Sequence, residues 1–223
     1  MREIEARTIA TLLGSIDASR LTPCVNVGSS TRDFREGEQP HNEALLASLR
    51  ARGIRVLNND IRPASGVDLL GNLLDPQFRD IIRRMAPRLL LCNNVLEHVP
   101  DARSFARACE EVVAADGYVC VSVPYSYPYH ADPIDTLFRP TPNELAGLFT
   151  HCRVVTSLLL VDHGLPNDLR KRRYPIWKYV AGSLIRPFMI WRDPHAMLYR
   201  LHSLFWLLRP FKVSVCLLQR QPA

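Results

Sequence analysis

The chain has 223 residues, of which 47% are hydrophobic and 22% charged, and its net charge is +6. This length suits one domain with an elaboration, and the composition is that of an ordinary globular protein, which excludes disordered and collagen-like chains. Residues 1–17 mix charge into their apolar positions, so no secretory signal is expected. No uninterrupted apolar run approaches the roughly 18 residues of a membrane-spanning helix. The expected location is the cytoplasm.

Six cysteines are spread along the chain, and none of them forms a C-x-x-C pair. Several lie within apolar runs, where cysteine behaves as a small hydrophobic residue. This spacing predicts buried free thiols in a reducing compartment, with neither a disulfide framework nor a zinc site. The six are Cys24, Cys92, Cys109, Cys120, Cys152 and Cys216.

The predicted elements begin with a helical segment over residues 1–20 and then alternate between strands and helices to about residue 160. Strands are predicted at PCVNVG (23–28), IRVLNND (54–60), GVDLLGNL (66–73), RLLLCNN (88–94), YVCVSVP (118–124) and CRVVTSLLLV (152–161), with KVSVCLLQ (212–219) closing the chain. Helices are predicted at HNEALLASLRARG (41–53), PQFRDIIRRMA (76–86), DARSFARACEEVVAADG (101–117) and TPNELAGLF (141–149).

Capping residues support these helices. Pro40 stands near the start of the first and Gly53 is placed to end it, Asp101 is a cap, and Thr141 with Glu144 forms a capping box. The alternation predicts an α/β fold: a Rossmann-like, mainly parallel seven-stranded sheet with helices on both faces. Its core covers residues 21–162.

The alternation of strand and helix patterns ends after residue 162. Residues 163–211 are predicted to form a basic helical insertion before a closing strand at 212–223. From residue 163 onward there are 11 Lys or Arg against 2 Asp or Glu, a surplus of +9, and all three tryptophans. Such a segment suits an anionic membrane surface or a polyanionic partner, or else forms a solvated face over an ordinary helix.

Within the insertion, LPNDLRKRRYP (165–175) is predicted as a polar connection, and IWKYVAGSLIRPFMIW (176–191) as a helix broken at Pro187. Asp193 and Pro194 are predicted to cap and open a further helix. Its apolar face either packs on the sheet or forms the seam of a homodimer. The face consists of Leu198, Leu201, Phe205 and Leu208.

Ligands of parallel α/β sheets bind beyond the carboxyl ends of the strands, so the residues that follow each strand are candidates for a site. The first strand ends in Gly28, Ser29 and Ser30, a loop with one glycine that permits close approach of a ligand. Asp60 ends the second strand, where a carboxylate accepts hydrogen bonds from a ribose. Asn72 follows the third, where an amide recognises an adenine edge. A simple turn residue is the alternative interpretation for Asp60 and Asn72.

The fourth strand opens into CNNVLEHV, in which Cys92, Asn93 and Asn94 precede Glu97 and His98. Buried amides at a strand end require hydrogen-bond partners. A Glu-His pair in the next turn is unusual on packing grounds, and this favours a functional interpretation.

The fifth strand runs into the proline-rich loop VPYSYPYHADPIDTLFRP (123–140). Its prolines stiffen the chain, and its tyrosines provide flat amphipathic walls. Asp135 and Arg139 are predicted to pair and fold the loop, while His130 faces the cleft. A metal site built from His130, Asp132 and Asp135 is disfavoured, because one loop seldom supplies a closed site without a second segment. The tyrosines are Tyr125, Tyr127 and Tyr129.

Taken in order, VNVGSS, NNDI, GVDLLGN, LLLCNNVLEHVPD and DGYVCVSVPYSYPYHADPIDTLFRPTPNEL resemble the class I S-adenosylmethionine-dependent methyltransferases. The chain looks most like the small-molecule branch, whose members often carry Leu-Glu-His after the fourth strand. The proline-rich stretch is similar to methyltransferase-like proteins of surface-polysaccharide and lipid-glycan biosynthesis. The resemblance implies S-adenosylmethionine as cofactor.

The resemblance also implies a role for each matching residue. The implied cofactor contacts are Gly28, Ser29, Ser30, Asp60, Asn72, Cys92, Asn93 and Asn94. The candidate acceptor contacts are Glu97, Tyr125, Tyr127, Tyr129 and Arg139. His98 and His130 are the candidate general bases, and His130 is preferred because it lies in the loop expected to cover the acceptor.

Two functions of different class remain open, and a third is disfavoured. The first is a methyltransferase acting on a small-molecule, sugar, glycan or lipid-linked acceptor. The second is a catalytically degenerate protein with a binding or assembly role, favoured by the single glycine and by Asn72. A nucleic-acid methyltransferase is disfavoured because the basic residues lie in an apolar, proline-interrupted segment. If the insertion binds lipid, the protein contacts the inner membrane face peripherally.

Overall fold

The fold is organised around a sheet, seen in a computed structural model that describes residues 1–130, 134–185, 202 and 204–222. Its strands are β1 (Cys24–Val27), β2 (Val56–Asp60), β3 (Leu69–Leu70), β4 (Leu89–Asn93), β5 (Tyr118–Ser126), β6 (Cys152–Asp162) and β7 (Phe211–Arg220). The sheet is seven-stranded in this described part of the chain, in the order β3-β2-β1-β4-β5-β7-β6.

The strand directions confirm the predicted Rossmann-like, mainly parallel sheet. β1 lies between β2 and β4 and is parallel to both, with Val25 level with Leu57 and Leu90. β4 and β5 are also parallel. The last strand, β7, enters antiparallel between β5 and β6 and starts one residue before its predicted position.

Helices cover both faces of the sheet, as predicted. They are α1 (Glu3–Gly14), α2 (Pro40–Ala51), α3 (Pro76–Arg84), α4 (Ala102–Val112), α5 (Pro142–Ala146), α6 (Gly164–Lys171) and α7 (Ile176–Ile185). Side chains alternate along β4, so Leu89 and Leu91 pack in a core with α1 and α2. Leu90 and Cys92 pack on the other face with α3, α4 and α5.

The predicted helix caps are present. Pro40 is the first residue of α2, and Gly53, with a φ of +79°, follows its end. Asp101 accepts hydrogen bonds from two backbone amides of α4, each at 3.0 Å. Thr141 and Glu144 form the capping box of α5.

The prediction of a polar connection at 165–175 is wrong, because α6 occupies most of it. Helix α6 is tied to α1 by ion pairs between residues far apart in sequence. Arg2 bonds Asp168 at 2.7 Å and Asp162 at 2.6 Å, and Lys171 bonds Glu3 at 2.6 Å. Local sequence shows charge at these positions, but the fold supplies the partners.

The predicted helix break and the following cap, at Pro187, Asp193 and Pro194, lie outside the described residues, as do Leu198 and Leu201. Phe205 and Leu208, from the same predicted face, are 67% and 90% exposed and do not pack on the sheet. Trp206 instead packs on Phe211, with ring centroids 5.6 Å apart. Among the described helices, none has the length and apolar character needed to cross a membrane.

All six cysteines are free thiols, as predicted, and five of them are buried. Burial raises the pKa of the Cys24 and Cys120 thiols well above the ordinary value. Cys152 is half-buried, and burial followed by the nearby Glu110 charge raises its pKa to about 12. The thiols of Cys24, Cys120 and Cys152 therefore remain protonated at neutral pH.

Candidate active site

A cleft with a volume of about 1130 Å³ opens at the carboxyl ends of the central strands. It is lined by Gly28 after β1, Asp60 at the end of β2, Asn93 at the end of β4 and Pro124 near the end of β5. The volume exceeds the roughly 300–1,000 Å³ that is typical of a site for one small ligand. The cleft is therefore large for a single small ligand.

Gly28 fixes the turn at the end of β1. Its φ is +65°, and a Cβ at this position would lie only 2.6 Å from Cγ2 of Val95. Glycine alone lets the backbone pass this close to the segment that follows β4. The chain then bends back, and the Ser29 amide donates to a carbonyl of β2 at 2.9 Å.

Arg35, which the sequence analysis missed, clamps this loop. Its side chain is 2% exposed. Nη1 donates to the carbonyls of Ser29 at 3.0 Å and Ser30 at 2.8 Å, and Nη2 donates to that of Gly66 at 3.1 Å. Nε lies 3.4 Å from the Glu43 carboxylate. The rigid fork of guanidinium donors thus holds a loop that has one glycine. In sequence, Arg35 stands in the charged stretch RDFREGE, which is typical of a solvated surface.

Asp60 presents its carboxylate to the cleft. Oδ2 accepts from the Ser30 amide at 2.8 Å, and Oδ1 accepts from the Arg62 amide at 3.0 Å. A carboxylate has about four acceptor positions, so each oxygen can accept another donor from the cleft. Asn72 also lines the cleft. Its Oδ1 accepts from the Leu74 amide at 3.0 Å, and its NH₂ group has no bond within the described residues.

The polar segment after β4 is tied to the N-terminal helix. Nδ2 of Asn94 and Oγ of Ser122 both donate to Oε1 of Glu5, at 2.8 Å and 2.5 Å. Ser122 also bonds Asn93 at 3.0 Å. Asn93 and Asn94 line the cleft as expected, but the structure places Cys92 in the core, because its side chain points to the face covered by α3 and α4. Glu5 was missed because it lies far away in sequence.

Glu97, His98 and His130 come together at one end of the cleft. One ligand-type atom from each lies within 4.8 Å of the others. Nε2 of His98 is 3.8 Å from Oε1 of Glu97, and the two imidazole rings meet edge to face with centroids 5.2 Å apart. The structure therefore unites the segment after β4 with the loop after β5.

Burial dominates the electrostatics of this group. It raises the pKa of Glu97 to about 8, the charges of Glu5 and Asp135 add to the rise, and Arg139 opposes it. Burial also lowers the pKa of His130, against an opposing effect of the nearby Asp135 carboxylate. The His130 ring is therefore neutral at neutral pH and has a lone pair for a proton or a ligand.

The tyrosines of the proline-rich loop divide between the cleft and its surroundings. Among the described residues of the loop, Tyr127 lines the cleft, with its ring 5.3 Å from that of His130 and 4.7 Å from that of Phe211. Tyr129 is 46% exposed and Tyr125 is half-buried, and neither is on the cleft wall.

The predicted pairing of Asp135 with Arg139 is confirmed, with Nη2 of Arg139 at 2.6 Å from Oδ2 of Asp135. The Asp135 carboxylate also accepts from the amides of His130 at 3.1 Å and Leu137 at 2.9 Å. Arg139 is therefore engaged in folding the loop, and the structure places it away from the cleft wall, where an acceptor contact was expected.

The remaining wall of the cleft comes from α1 and α6, which the sequence analysis did not assign to a site. Arg2, Glu3, Asp168 and Lys171 line it, and their ion pairs join the two helices. One basic residue of the insertion, Lys171, is thus paired with Glu3 near the surface, while the insertion's Asp168 is paired with Arg2.

No protein-family model matches the chain, and no curated protein matches it. Solved structures do match. A protein from Galdieria sulphuraria assigned as a sarcosine dimethylglycine methyltransferase is similar over 98% of this chain and 85% of its own, with a TM-score of 0.55 and 13% identity. The MccD protein is similar over 97% of this chain and 96% of its own, with a TM-score of 0.55 and 11% identity.

A third structure is the 1,6-didemethyltoxoflavin-N1-methyltransferase of Burkholderia thailandensis, which contains bound 1,6-didemethyltoxoflavin and S-adenosylhomocysteine. It is similar over 99% of this chain and 80% of its own, with a TM-score of 0.50 and 16% identity. At these identities the likeness establishes the fold alone. The chain therefore has the Rossmann-like fold of the class I methyltransferases.

Proposed function

We propose that the protein is an S-adenosylmethionine-dependent methyltransferase acting on a small-molecule, sugar, glycan or lipid-linked acceptor. The observation that carries this proposal is the Asp60 carboxylate, which ends β2 at the cleft and keeps acceptor capacity on both oxygens. The large volume of the cleft also supports the proposal, because a methyltransferase binds its cofactor and its acceptor at the same time. The 1,6-didemethyltoxoflavin-N1-methyltransferase of the same fold contains both S-adenosylhomocysteine and a second small molecule.

The residues of the cleft fit this cofactor. The left-handed turn at Gly28 exposes backbone at the end of β1, and Asp60 can accept hydrogen bonds from two ribose hydroxyls. The NH₂ group of Asn72 is the candidate for the adenine edge, and Asn93 and Asn94 line the same cleft. The cofactor supplies a methyl group already activated as a sulfonium, so the protein chiefly provides proximity and alignment.

The acceptor end is formed by Glu97, His98, His130 and Tyr127. Nδ1 of His130 lies 3.3 Å from the Pro128 carbonyl, which can only accept, so the tautomer with its proton on Nδ1 satisfies this contact and leaves Nε2 as the basic atom. With no metal bound, a neutral His130 accepts the proton of a hydroxyl acceptor. The ring of Tyr127 provides a flat wall on which an acceptor packs.

One observation favours the second candidate, a catalytically degenerate binding or assembly protein. The amides of Ser29 and Ser30 are both bonded within the protein, to a carbonyl of β2 and to Asp60. The loop therefore offers a ligand fewer free donors than a glycine-rich loop does.

Calorimetric titration with S-adenosylmethionine and S-adenosylhomocysteine tests the proposal. Asp60→Ala removes two charge-assisted hydrogen bonds of about 1.5–3 kcal/mol each and is expected to weaken binding by roughly 100-fold or more. Asp60→Asn keeps one oxygen that can accept from the Ser30 amide. This variant therefore shows whether binding is lost because the carboxylate is absent or because the loop at Ser30 is disordered. Asp68→Ala is the matched control, because Asp68 also bonds a backbone amide, that of Asn58 at 2.8 Å, but lies outside the cleft. Absence of binding to the wild type at millimolar ligand would transfer the proposal to the second candidate.

The insertion is proposed to rest on an anionic membrane surface. At the junction of α6 and α7, Tyr174, Ile176 and Trp177 are 47%, 43% and 68% exposed. Nζ of Lys178 lies 5.5 Å from the Trp177 ring centroid. Exposed aromatic and basic side chains together are typical of interfacial anchoring.

Co-sedimentation with phosphatidylserine-containing and with purely phosphatidylcholine vesicles tests the membrane contact. Salt-sensitive binding to the anionic vesicles, reduced in Trp177→Ala, is the expected result. Equal binding to both kinds of vesicle, or binding to neither, would overturn the proposed membrane contact. The alternative use of exposed Phe205 and Leu208 is a homodimer seam, which predicts a concentration-dependent sedimentation coefficient that Leu208→Asp abolishes.

A further inference from the structure

The carboxylate of Glu97 is buried in the cleft wall without a partner. Its side chain has 0% exposure, and neither oxygen has a hydrogen bond within the described residues. The backbone beneath it is fixed, since the amide and hydroxyl of Thr136 both donate to the Glu97 carbonyl, at 2.9 Å and 3.0 Å. Burial of a carboxylate without donors costs several kcal/mol, so the position requires a ligand or a proton to satisfy it.

Both neighbouring histidines are held by Nδ1. Nδ1 of His98 lies 2.5 Å from the Ile134 carbonyl. Nδ1 of His130 lies 3.3 Å from the Pro128 carbonyl and 3.4 Å from the Asp135 carboxylate. Protons on Nδ1 make these contacts hydrogen bonds and leave the lone pair on each Nε2. Metal-binding histidines almost always show this arrangement, in which the second nitrogen donates to a carbonyl or carboxylate.

The three side chains already converge, with one candidate ligand atom of each within 4.8 Å of the others. Ligands bound at about 2.0–2.2 Å in a tetrahedron lie a little over 3 Å apart, so small side-chain rotations close the site. We propose that Glu97, His98 and His130 bind a divalent metal ion at the acceptor end of the cleft. Two imidazoles and one carboxylate form the ligand set of catalytic zinc sites that keep a further position open. All three residues line the cleft, so the open position faces it.

The ligands come from two segments, the turn after β4 and the loop after β5. The loop after β5 does not supply the site by itself, because its Asp135 is engaged by Arg139.

The metal site rests on geometry, whereas its consequence for the acceptor rests on the proposed function. A divalent ion lowers the pKa of a hydroxyl that coordinates it. Methyl transfer to such a hydroxyl forms an O–CH₃ bond, breaks the S–CH₃ bond of the donor and releases one proton to solvent. His130 then serves as a ligand rather than as the base. The substrate class is therefore an oxygen acceptor, best matched by a sugar diol or another pair of neighbouring oxygens.

Titration of the chelator-treated full chain with Co²⁺ and then Zn²⁺ tests the site. We expect one equivalent of Co²⁺ to produce visible absorption bands that Zn²⁺ abolishes by displacement. Glu97→Gln, which keeps shape and removes charge, and His130→Asn should each weaken Zn²⁺ binding by more than the roughly 10–100-fold typical of outer-shell changes. His151→Asn is the matched control, since His151 also pairs with a glutamate, at 3.4 Å, but is 69% exposed and outside the cleft.

Each variant is also titrated with S-adenosylhomocysteine in the absence of metal. The two titrations distinguish failure of the proposed metal site from failure of the proposed methyltransferase function. Normal S-adenosylhomocysteine binding without a Co²⁺ spectrum, or with a spectrum that survives both Glu97→Gln and His130→Asn, overturns the metal site. A normal Co²⁺ spectrum without S-adenosylhomocysteine binding supports the site and overturns the proposed function. Asp60→Ala should lose the nucleotide and keep the metal.

Discussion

A substitution at Gly28 tests how the end of β1 shapes the cleft. An alanine at φ +65° adopts the left-handed region at a cost of about 1–2 kcal/mol. Its Cβ would lie 2.6 Å from Cγ2 of Val95, whereas carbon atoms in contact lie about 3.5–4.0 Å apart. Relief of that overlap in a packed region costs about 1–3 kcal/mol. Gly28→Ala is therefore expected to lower the free energy of unfolding by about 2–5 kcal/mol, a large part of the ~5–15 kcal/mol of a typical domain.

Gly53→Ala separates the two contributions. Gly53 has a φ of +79°, but no heavy atom of the described residues lies within 4 Å of the position that its Cβ would take. This variant should lose only the conformational part, about 1–2 kcal/mol. In Gly28→Ala/Val95→Ala the overlapping methyl group is absent, so the double variant should be more stable than the sum of the single effects predicts, by about 1–3 kcal/mol.

Urea unfolding followed by circular dichroism measures these differences as shifts of the midpoint at constant slope. Calorimetric titration with S-adenosylhomocysteine measures the consequence for the cleft. We expect Gly28→Ala to bind at least tenfold more weakly. A displaced loop needs to cost only about 1.4 kcal/mol of binding free energy to raise Kd tenfold. If Gly28→Ala is no less stable than Gly53→Ala, or if the effects of Gly28→Ala and Val95→Ala simply add, the close approach of β1 to the segment after β4 is refuted.

Two further predictions concern buried polar groups. Arg35→Ala leaves the carbonyls of Ser29, Ser30 and Gly66 without their donor, so we expect the free energy of unfolding in urea to fall by about 3 kcal/mol. Arg35→Lys should recover only part of this loss, because an ammonium lacks the planar fork of donors. Full recovery in Arg35→Lys would contradict the role of Arg35 as a clamp. Burial raises the folded-state pKa of the Cys24 and Cys120 thiols, whereas unfolded thiols ionise near pH 8.5, so stability should fall as pH rises above that value, by up to about 1.4 kcal/mol per pH unit for each of these two thiols. Urea unfolding at pH 7.5 and 9.5 measures this change in the free energy of unfolding. Rapid labelling of these thiols in the native protein by a thiol reagent would contradict their burial.

Arg35 and Glu5 explain how a loop with one glycine still forms the floor of a cleft. A glycine-rich loop is shaped by its own backbone freedom. Here a buried guanidinium donates to the loop carbonyls, and a buried carboxylate of α1 accepts hydrogen bonds from Asn94, which follows β4, and from Ser122 in the middle of β5. The shape of the cleft is thus maintained by side chains from elements that carry none of the strand-end motifs.

Most of the fold was predictable because its signals are local. The apolar runs of β1 and β4, the cap at Asp101 and the capping box of α5 depend on residues a few positions apart, and the structure confirms each. The Asp135–Arg139 pair was predictable for the same reason, since its members are four residues apart. Helix α6 was missed because the ion pairs that hold it join residues more than 160 positions apart.

By itself, the sequence determined the order of the strands and of most helices, the edge of the sheet where the cleft lies, and most of the polar residues at that edge. Hydrophobic periodicity and capping chemistry encode these features within a few residues of chain. Only the tertiary structure decided which of those residues face the cleft. It placed Cys92 in the core and Arg139 in the loop framework, recruited Arg35 and Glu5, and brought Glu97 and His98 to His130. These outcomes depend on the direction of each side chain and on contacts between distant segments, which a local pattern does not contain.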